Sequence, residues 1–348
     1  MKRRDVLLSA AGMPFFGFAN AQGRVPISDA HNHLGLLRKN TDAVFKLGSL
    51  MTEAGVSLLS WTVVPDAPFL RMSSNGVEQG RAISAGELKA SFDRQLSSAT
   101  SGLFGNGANI VKTVADLDKA AQGIPHVVLT SEGADFLEGS LDDLQSAYDR
   151  GIRHIQLVHY IKNPIGDLQT ESPTHNGLSD FGKQLIKAMN TTGILIDLAH
   201  STGPSIDQAL DISTKPMIWS HSFITKSEQS WTSRGYMSRG LSEAYAKKIA
   251  SKGGAVGLWA LGPSFGGGLD GYASEIIRMI EILGADHVMF GTDEDGLPQG
   301  AVIEQLIDLR KVVDILAKRG VDEKTLRSVA YENYARCLKT AMLGRVSG

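Results

Sequence analysis

The chain has 348 residues, 42% of them hydrophobic, enough to bury the core of one large α/β barrel or of two smaller domains. Its formal net charge of −2 comes from 35 basic and 37 acidic residues with no long single-sign run, which argues against nucleic acid as a partner. The only cysteine, Cys337, cannot form an intrachain disulfide, so stability must come from packing.

The N-terminus has the layout of an export signal. Lys2, Arg3 and Arg4 precede an apolar run from Val6 to Phe18, and "ANA" at 19–21 offers a small-residue cleavage site. The Arg3-Arg4 pair favours the twin-arginine route. Residues 1–21 are therefore expected to be removed, leaving a mature chain without a stable membrane anchor, in the periplasm or outside the cell. Residues 22–348 are expected to form a single domain.

After residue 22 short apolar runs alternate with longer segments of helical period. The runs are 25–33, 57–65, 124–132, 152–160, 193–200, 216–222, 254–261 and 287–294. Between them lie segments such as "GLSDFGKQLIKAMNTTG", with Ser179 placed to cap a helix and Gly193 to stop it. Eight strand–helix units with nearly continuous apolar strands predict an α/β fold of the closed (β/α)8, TIM-barrel type. An open doubly wound sheet is the rival. No glycine-rich phosphate loop follows the first strand, which counts against a dinucleotide-binding fold. The stretch 66–123 is long for one connection and predicts an inserted loop with one or two helices. The tail 301–343 reads as two helices, with Cys337 as a packing residue.

Nearly every predicted strand ends in a metal-competent side chain. Strand one ends in His31 and His33, strand three in Glu132, strand four in His159, strand five in His200, strand six in His221 and strand eight in Asp293. In a parallel barrel the strand C-termini share one mouth, where active sites of this fold lie. Residues i and i+2 face the same way, so His31 and His33 can both point there. One strand-end histidine is more often a hydrogen-bonded structural residue than a ligand. Seven such residues at one end point instead to a nitrogen and oxygen site for zinc or a similar divalent ion, with His31, Glu132, His200 and His221 as the leading ligands. His126 and His287 start strands and read as structural. His154 is mid-strand and can face either way, and His175 lies in a loop and reads as solvated.

Several stretches carry more than spacing. "HNH", "SEGADFLEGSLDDLQSAYDRGIRHIQLVHYIKN", "DLAHST", "PMIWSHS", "SRGLSE", "GGAVG" and "GTDEDG" resemble the membrane dipeptidase (renal dipeptidase) family of zinc metallopeptidases, from about residue 27 to residue 340. The resemblance implies an amidohydrolase-like barrel holding two zinc ions. It makes His31 a ligand of the first, Glu132 a bridge, and His200 and His221 ligands of the second. It also implies that His159 contacts substrate near the scissile carbonyl, that Arg239 pairs with the substrate's terminal carboxylate, and that Asp293 is the general acid/base. Arg234 competes with Arg239 for the carboxylate. Family members are often homodimers.

Three positions depart from the family pattern. His33 stands where an aspartate is usual; it is a good ligand, but it removes a negative charge from the first metal position. Trp259 stands where an aromatic hydroxyl is often found, and Glu294 where an apolar residue is usual. The expected function is an exported zinc dipeptidase, its small-molecule substrate a dipeptide or related amide, hydrolysed through a metal-held hydroxide. The alternatives are an amidohydrolase for a lactone, cyclic amide or modified amino acid, and a metal-binding protein without turnover.

Overall fold

The computed structural model describes residues 24–37, 46–74, 76–103, 107–228, 232–233, 235–297 and 300–345. The predicted export signal and Arg234 lie outside the described residues.

Eight parallel strands run in chain order: β1 Ile27–Asn32, β2 Val56–Val63, β3 His126–Ser131, β4 Ile152–Gln156, β5 Leu195–Asp197, β6 Ile218–Ser222, β7 Ala255–Leu258 and β8 Val288–Phe290. Each pairs with the next, β2 and β3 in unbroken register from Leu58 opposite His126 to Val63 opposite Ser131. Beyond the last strand the ring closes: the amide of His33 donates to Glu294 O (2.9 Å) and that of Asp293 to His31 O (3.0 Å). Every residue of β2 is buried, as expected for a strand covered on both faces. The architecture is the predicted (β/α)8 barrel.

Helices cover the outside. Asp180–Thr192 shows how the sequence fixes one: the Ser179 hydroxyl accepts from Gly182 N, and Gly193 stops the helix at φ 88°. The tail forms a helix at Leu306–Lys318 and a second helical run from Glu323 to Leu343, interrupted by a π-helical turn at Ser328–Glu332. That second run closes the N-terminal end of the barrel. Asn333 donates to Val288 O at the start of β8 (2.7 Å), the Ser28 hydroxyl in β1 donates to Ala330 O (3.2 Å), and Tyr334, Cys337 and Leu338 pack with Leu58, Val128 and Met289.

The connection between β2 and β3 carries helices Glu87–Leu103 and Val114–Ala121. It also carries an antiparallel hairpin, Leu70–Ser73 against Gly76–Gln79, that the sequence did not announce. The strands are shorter than predicted. β4 stops at Gln156, so His159 sits in the following loop, and β8 stops at Phe290, three residues before Asp293. Beyond the strand ends single backbone bonds continue the pairing, such as Glu132 N to Val63 O (2.8 Å) and Leu157 N to Asp197 O (3.2 Å).

Candidate metal centre

Five imidazoles, from the ends of β1, β5 and β6 and from the loop after β4, converge on one carboxylate. Glu132 Oε1 lies 3.6 Å from His31 Nε2, 3.3 Å from His159 Nε2, 3.1 Å from His200 Nε2 and 3.5 Å from His221 Nε2, while Oε2 lies 3.3 Å from His33 Nε2. Asp293 Oδ1 stands 3.3 Å from His33 Nε2 and 3.9 Å from His31 Nε2. All seven side chains are buried. Their donor atoms form three overlapping groups of metal-ligand size: His31, Glu132 and His221; His31, His33 and Asp293; Glu132, His159 and His200. Asp293 thus joins a group of candidate ligands.

Local structure aims these groups. His200 and Asp293 hold left-handed backbone, at φ 68° and 58°, which costs a non-glycine residue about 1–3 kcal/mol and is characteristic of functional sites. Gly296 leaves room beside them: a Cβ there would collide with the Asp293 carboxylate and lie 2.6 Å from His33 Cδ2. His33 Nδ1 must carry a proton, because it donates to the Thr62 carbonyl (2.9 Å), and its Nε2 faces the centre. Ser220 Oγ lies 2.8 Å from His221 Nδ1 and 3.4 Å from His31 Nδ1, so one hydroxyl serves two rings from two strands.

Electrostatics follow from burial and charge. Burial depresses His200 and His221 well below the usual imidazole range, helped by Arg239 beside His200 and by His31 beside His221. Both are therefore neutral, as ligands must be. Burial also works against protonation of His33, but the Asp293 and Glu132 carboxylates outweigh it and raise the group to about 10. Glu132 is pulled well below the carboxylate range: desolvation opposes ionisation, and the surrounding histidines overcome it. The donor set, imidazole Nε2 atoms whose far nitrogens are anchored in every ring but His200, plus two carboxylates, fits borderline divalent cations such as zinc.

Arg239 is buried against this cluster. Its Nη1 donates to Gln169 Oε1, its Nη2 lies 3.4 Å from His221 Nε2, and its guanidinium bonds Tyr160. A cavity of about 1070 Å³, at the upper end for small-molecule sites, opens above and is lined by His33, Glu132, His159, Arg239, Trp259 and Asp293 among others. Trp259 is fixed in its wall, stacked on Phe223 and donating from Nε1 to Ser264 Oγ (2.9 Å). Glu294 turns away from the cavity, accepts from Asn32 Nδ2 (2.9 Å), and is raised to about 8 by burial.

The remaining histidines stay apart from the centre. His126 and His287 donate from Nδ1 to the carbonyls of Ile124 (2.8 Å) and Gly254 (2.7 Å). His154 faces the barrel interior below the centre, between Asp197 Oδ2 and the Tyr334 hydroxyl, each 3.2 Å away. His175 is exposed. Sequence reasoning missed Asp66, which accepts from His159 Nδ1 (2.7 Å) and fixes that ring, and it missed Tyr160 and Gln169 beside Arg239. Asp66 follows the apolar run 57–65, so the strand-end rule that found Glu132 would have found it.

A family model described as membrane dipeptidase, peptidase family M19, matches residues 50–345. The chain belongs to this family. An uncharacterized dipeptidase of Schizosaccharomyces pombe is 30% identical over 204 residues, covering 55% of this chain and 46% of that protein. The chain spans about half the length of the curated relatives it matches. Among solved structures, dipeptidase AC, an M19 metallopeptidase, superposes with a TM-score of 0.77 at 20% identity, covering 91% of this chain and 99% of that one. A Rhodobacter sphaeroides metallopeptidase liganded with a phosphinate mimic of the dipeptide L-Ala-D-Ala gives 0.76 at 20% identity, with the same coverage. At that identity these two show a shared fold.

Proposed function

We propose that this chain is a zinc-dependent dipeptidase that hydrolyses the amide bond of dipeptides or close relatives bearing a free carboxylate. The observation that carries the reading is the convergence of five imidazole Nε2 atoms within 3.6 Å of the Glu132 carboxylate, with the buried Arg239 guanidinium against the same cluster.

His31, His33, Glu132, His200 and His221 would hold two zinc ions, with the Asp293 carboxylate beside His33. When bound, the pair supplies Lewis acidity toward a carbonyl and acidifies water at neutral pH. The chain does the rest. Arg239 is held by Gln169 and Tyr160 so that its fork can pair with the substrate's terminal carboxylate. His159, oriented by Asp66, presents Nε2 at the floor of the cavity, where it can donate to the scissile carbonyl oxygen. Asp293 takes a proton during attack and returns it to the departing amine. Burial of the floor keeps these charges out of bulk water and strengthens each interaction.

A second reading is an amidohydrolase for a lactone or cyclic amide, favoured by the His-x-His pair at 31 and 33. Export of the mature chain belongs to the proposal as well. N-terminal sequencing of the protein recovered from the periplasm should begin near residue 22, and an unprocessed start would contradict export. For the reaction, a panel of L-L and L-D dipeptides is incubated with the purified protein, and free amino acids are measured before chelation, after it, and with zinc restored. Zinc-dependent release supports the dipeptidase. Zinc-dependent lactone or ester turnover without dipeptide cleavage would transfer the assignment to the second reading.

A further inference from the structure

The cavity changes character from floor to rim. Arg239, at the floor, is 2% exposed, whereas three apolar residues of the wall are among the most exposed large hydrophobics of the described chain: Met72 at 63%, Leu37 at 38% and Tyr236 at 37%. They come from separate segments. Leu37 follows β1, Met72 belongs to the Leu70–Gln79 hairpin, and Tyr236 belongs to the 3-10 turn Gly235–Arg239 that carries the arginine itself. The hairpin reaches that turn: a Cβ at Gly76 would stand 3.9 Å from Gly235 Cα. Leu70 and Val77 of the hairpin line the same space.

An exposed apolar ring costs solubility and gains nothing in a site built for small polar dipeptides. At the floor the buried Arg239 guanidinium offers a fork for a carboxylate, and a substrate anchored there extends away from it toward the rim. We propose that the hairpin and the Gly235–Arg239 turn select substrates whose carboxylate-distal half is large and apolar, an aromatic or long aliphatic residue or acyl group. This rests on the reading of the floor as a site for carboxylate-bearing amides. Contact with Met72, Val77 and Tyr236 removes the apolar group from water, and the cavity has room for it.

The test uses 4-oxoalkanoates, in which a methylene replaces the amide nitrogen of an acyl-glycine so that no bond can be hydrolysed. Binding of levulinate and of 4-oxo-6-phenylhexanoate to the full chain as isolated is measured by calorimetry. The phenyl compound should bind about tenfold or more tightly, the return expected from burying one aromatic ring. The ratio should fall below about threefold in Met72→Asp and in Tyr236→Ser, two exposed positions where folding is insensitive to the change. Equal binding of the two compounds, a ratio unmoved by both substitutions, or no binding of either compound would overturn the inference. A chain that shows the preference yet releases no amino acid from any dipeptide would refute the proposed reaction and leave the selectivity standing.

Discussion

Both ends of the barrel carry histidines, and the contrast between the ends shows what makes a metal centre. At the N-terminal end His126 and His287 each donate to a nearby backbone carbonyl, and neither belongs to a metal-competent cluster among the described residues. The opening there is filled by Tyr334, Cys337 and Leu338. At the C-terminal end the same kind of anchor, His33 Nδ1 to Thr62 O, leaves the ring's other nitrogen facing four more imidazoles and two carboxylates. An anchored histidine is thus common to both ends. Convergence on a shared carboxylate, and a cavity above it, belong to one.

The comparison breaks most severely if the shared carboxylate is dispensable. Glu132→Gln should strip zinc from the purified protein, seen by elemental analysis, and remove several kcal/mol of transition-state stabilisation, roughly a thousandfold or more in rate. Retained zinc with retained turnover would mean that Glu132 is not the hub. Asp293→Asn should lower turnover by about 10²–10⁴-fold while zinc is kept, because the amide still offers an oxygen donor but cannot shuttle a proton. Unchanged kcat in that variant would remove Asp293 from the chemistry.

A smaller effect is read in protons. Without a cation, His33 is raised to about 10 and is charged at neutral pH. Its contribution to folding stability is therefore complete below the ordinary imidazole pKa and is lost as pH rises through about 10. A metal needs its lone pair, so zinc binding should expel about one proton at pH 7.5 and tighten about tenfold per pH unit on that account. Calorimetry in two buffers of different ionisation enthalpy measures the release, and none would place His33 outside the ligand set. The smallest effect is at the opposite end. His287→Gln should cost about 1 kcal/mol in urea unfolding, the value of one hydrogen bond, and leave the zinc content unchanged.

The barrel was legible because its strands are apolar on both faces and recur with helical segments between them, a pattern only a covered parallel sheet requires. The convergence of the candidate ligand residues was legible because the fold puts every strand's C-terminus at one mouth. What periodicity lacked was the hairpin at 70–79: "LRMSSNGVEQ" has no clear alternation, and its strands are held by four paired positions at the rim, not by burial. Asp66 was passed over because the apolar run before it was read as ending at Pro65. Arg239 illustrates the harder limit. Nothing in "SRGLSE" says that its guanidinium meets Gln169 and His221, since contacts spanning 70 and 18 residues are set by the closed barrel and not by local pattern. The resemblance to the family singled out this arginine, and the fold places it beside the centre.

The most direct test of the account is a zinc titration of the metal-stripped protein with dipeptide hydrolysis followed at each addition. The account predicts no hydrolysis without zinc, a rise with added metal, and saturation near two equivalents per chain. Full activity in the stripped protein, or saturated zinc binding with no dipeptide cleaved, would contradict it.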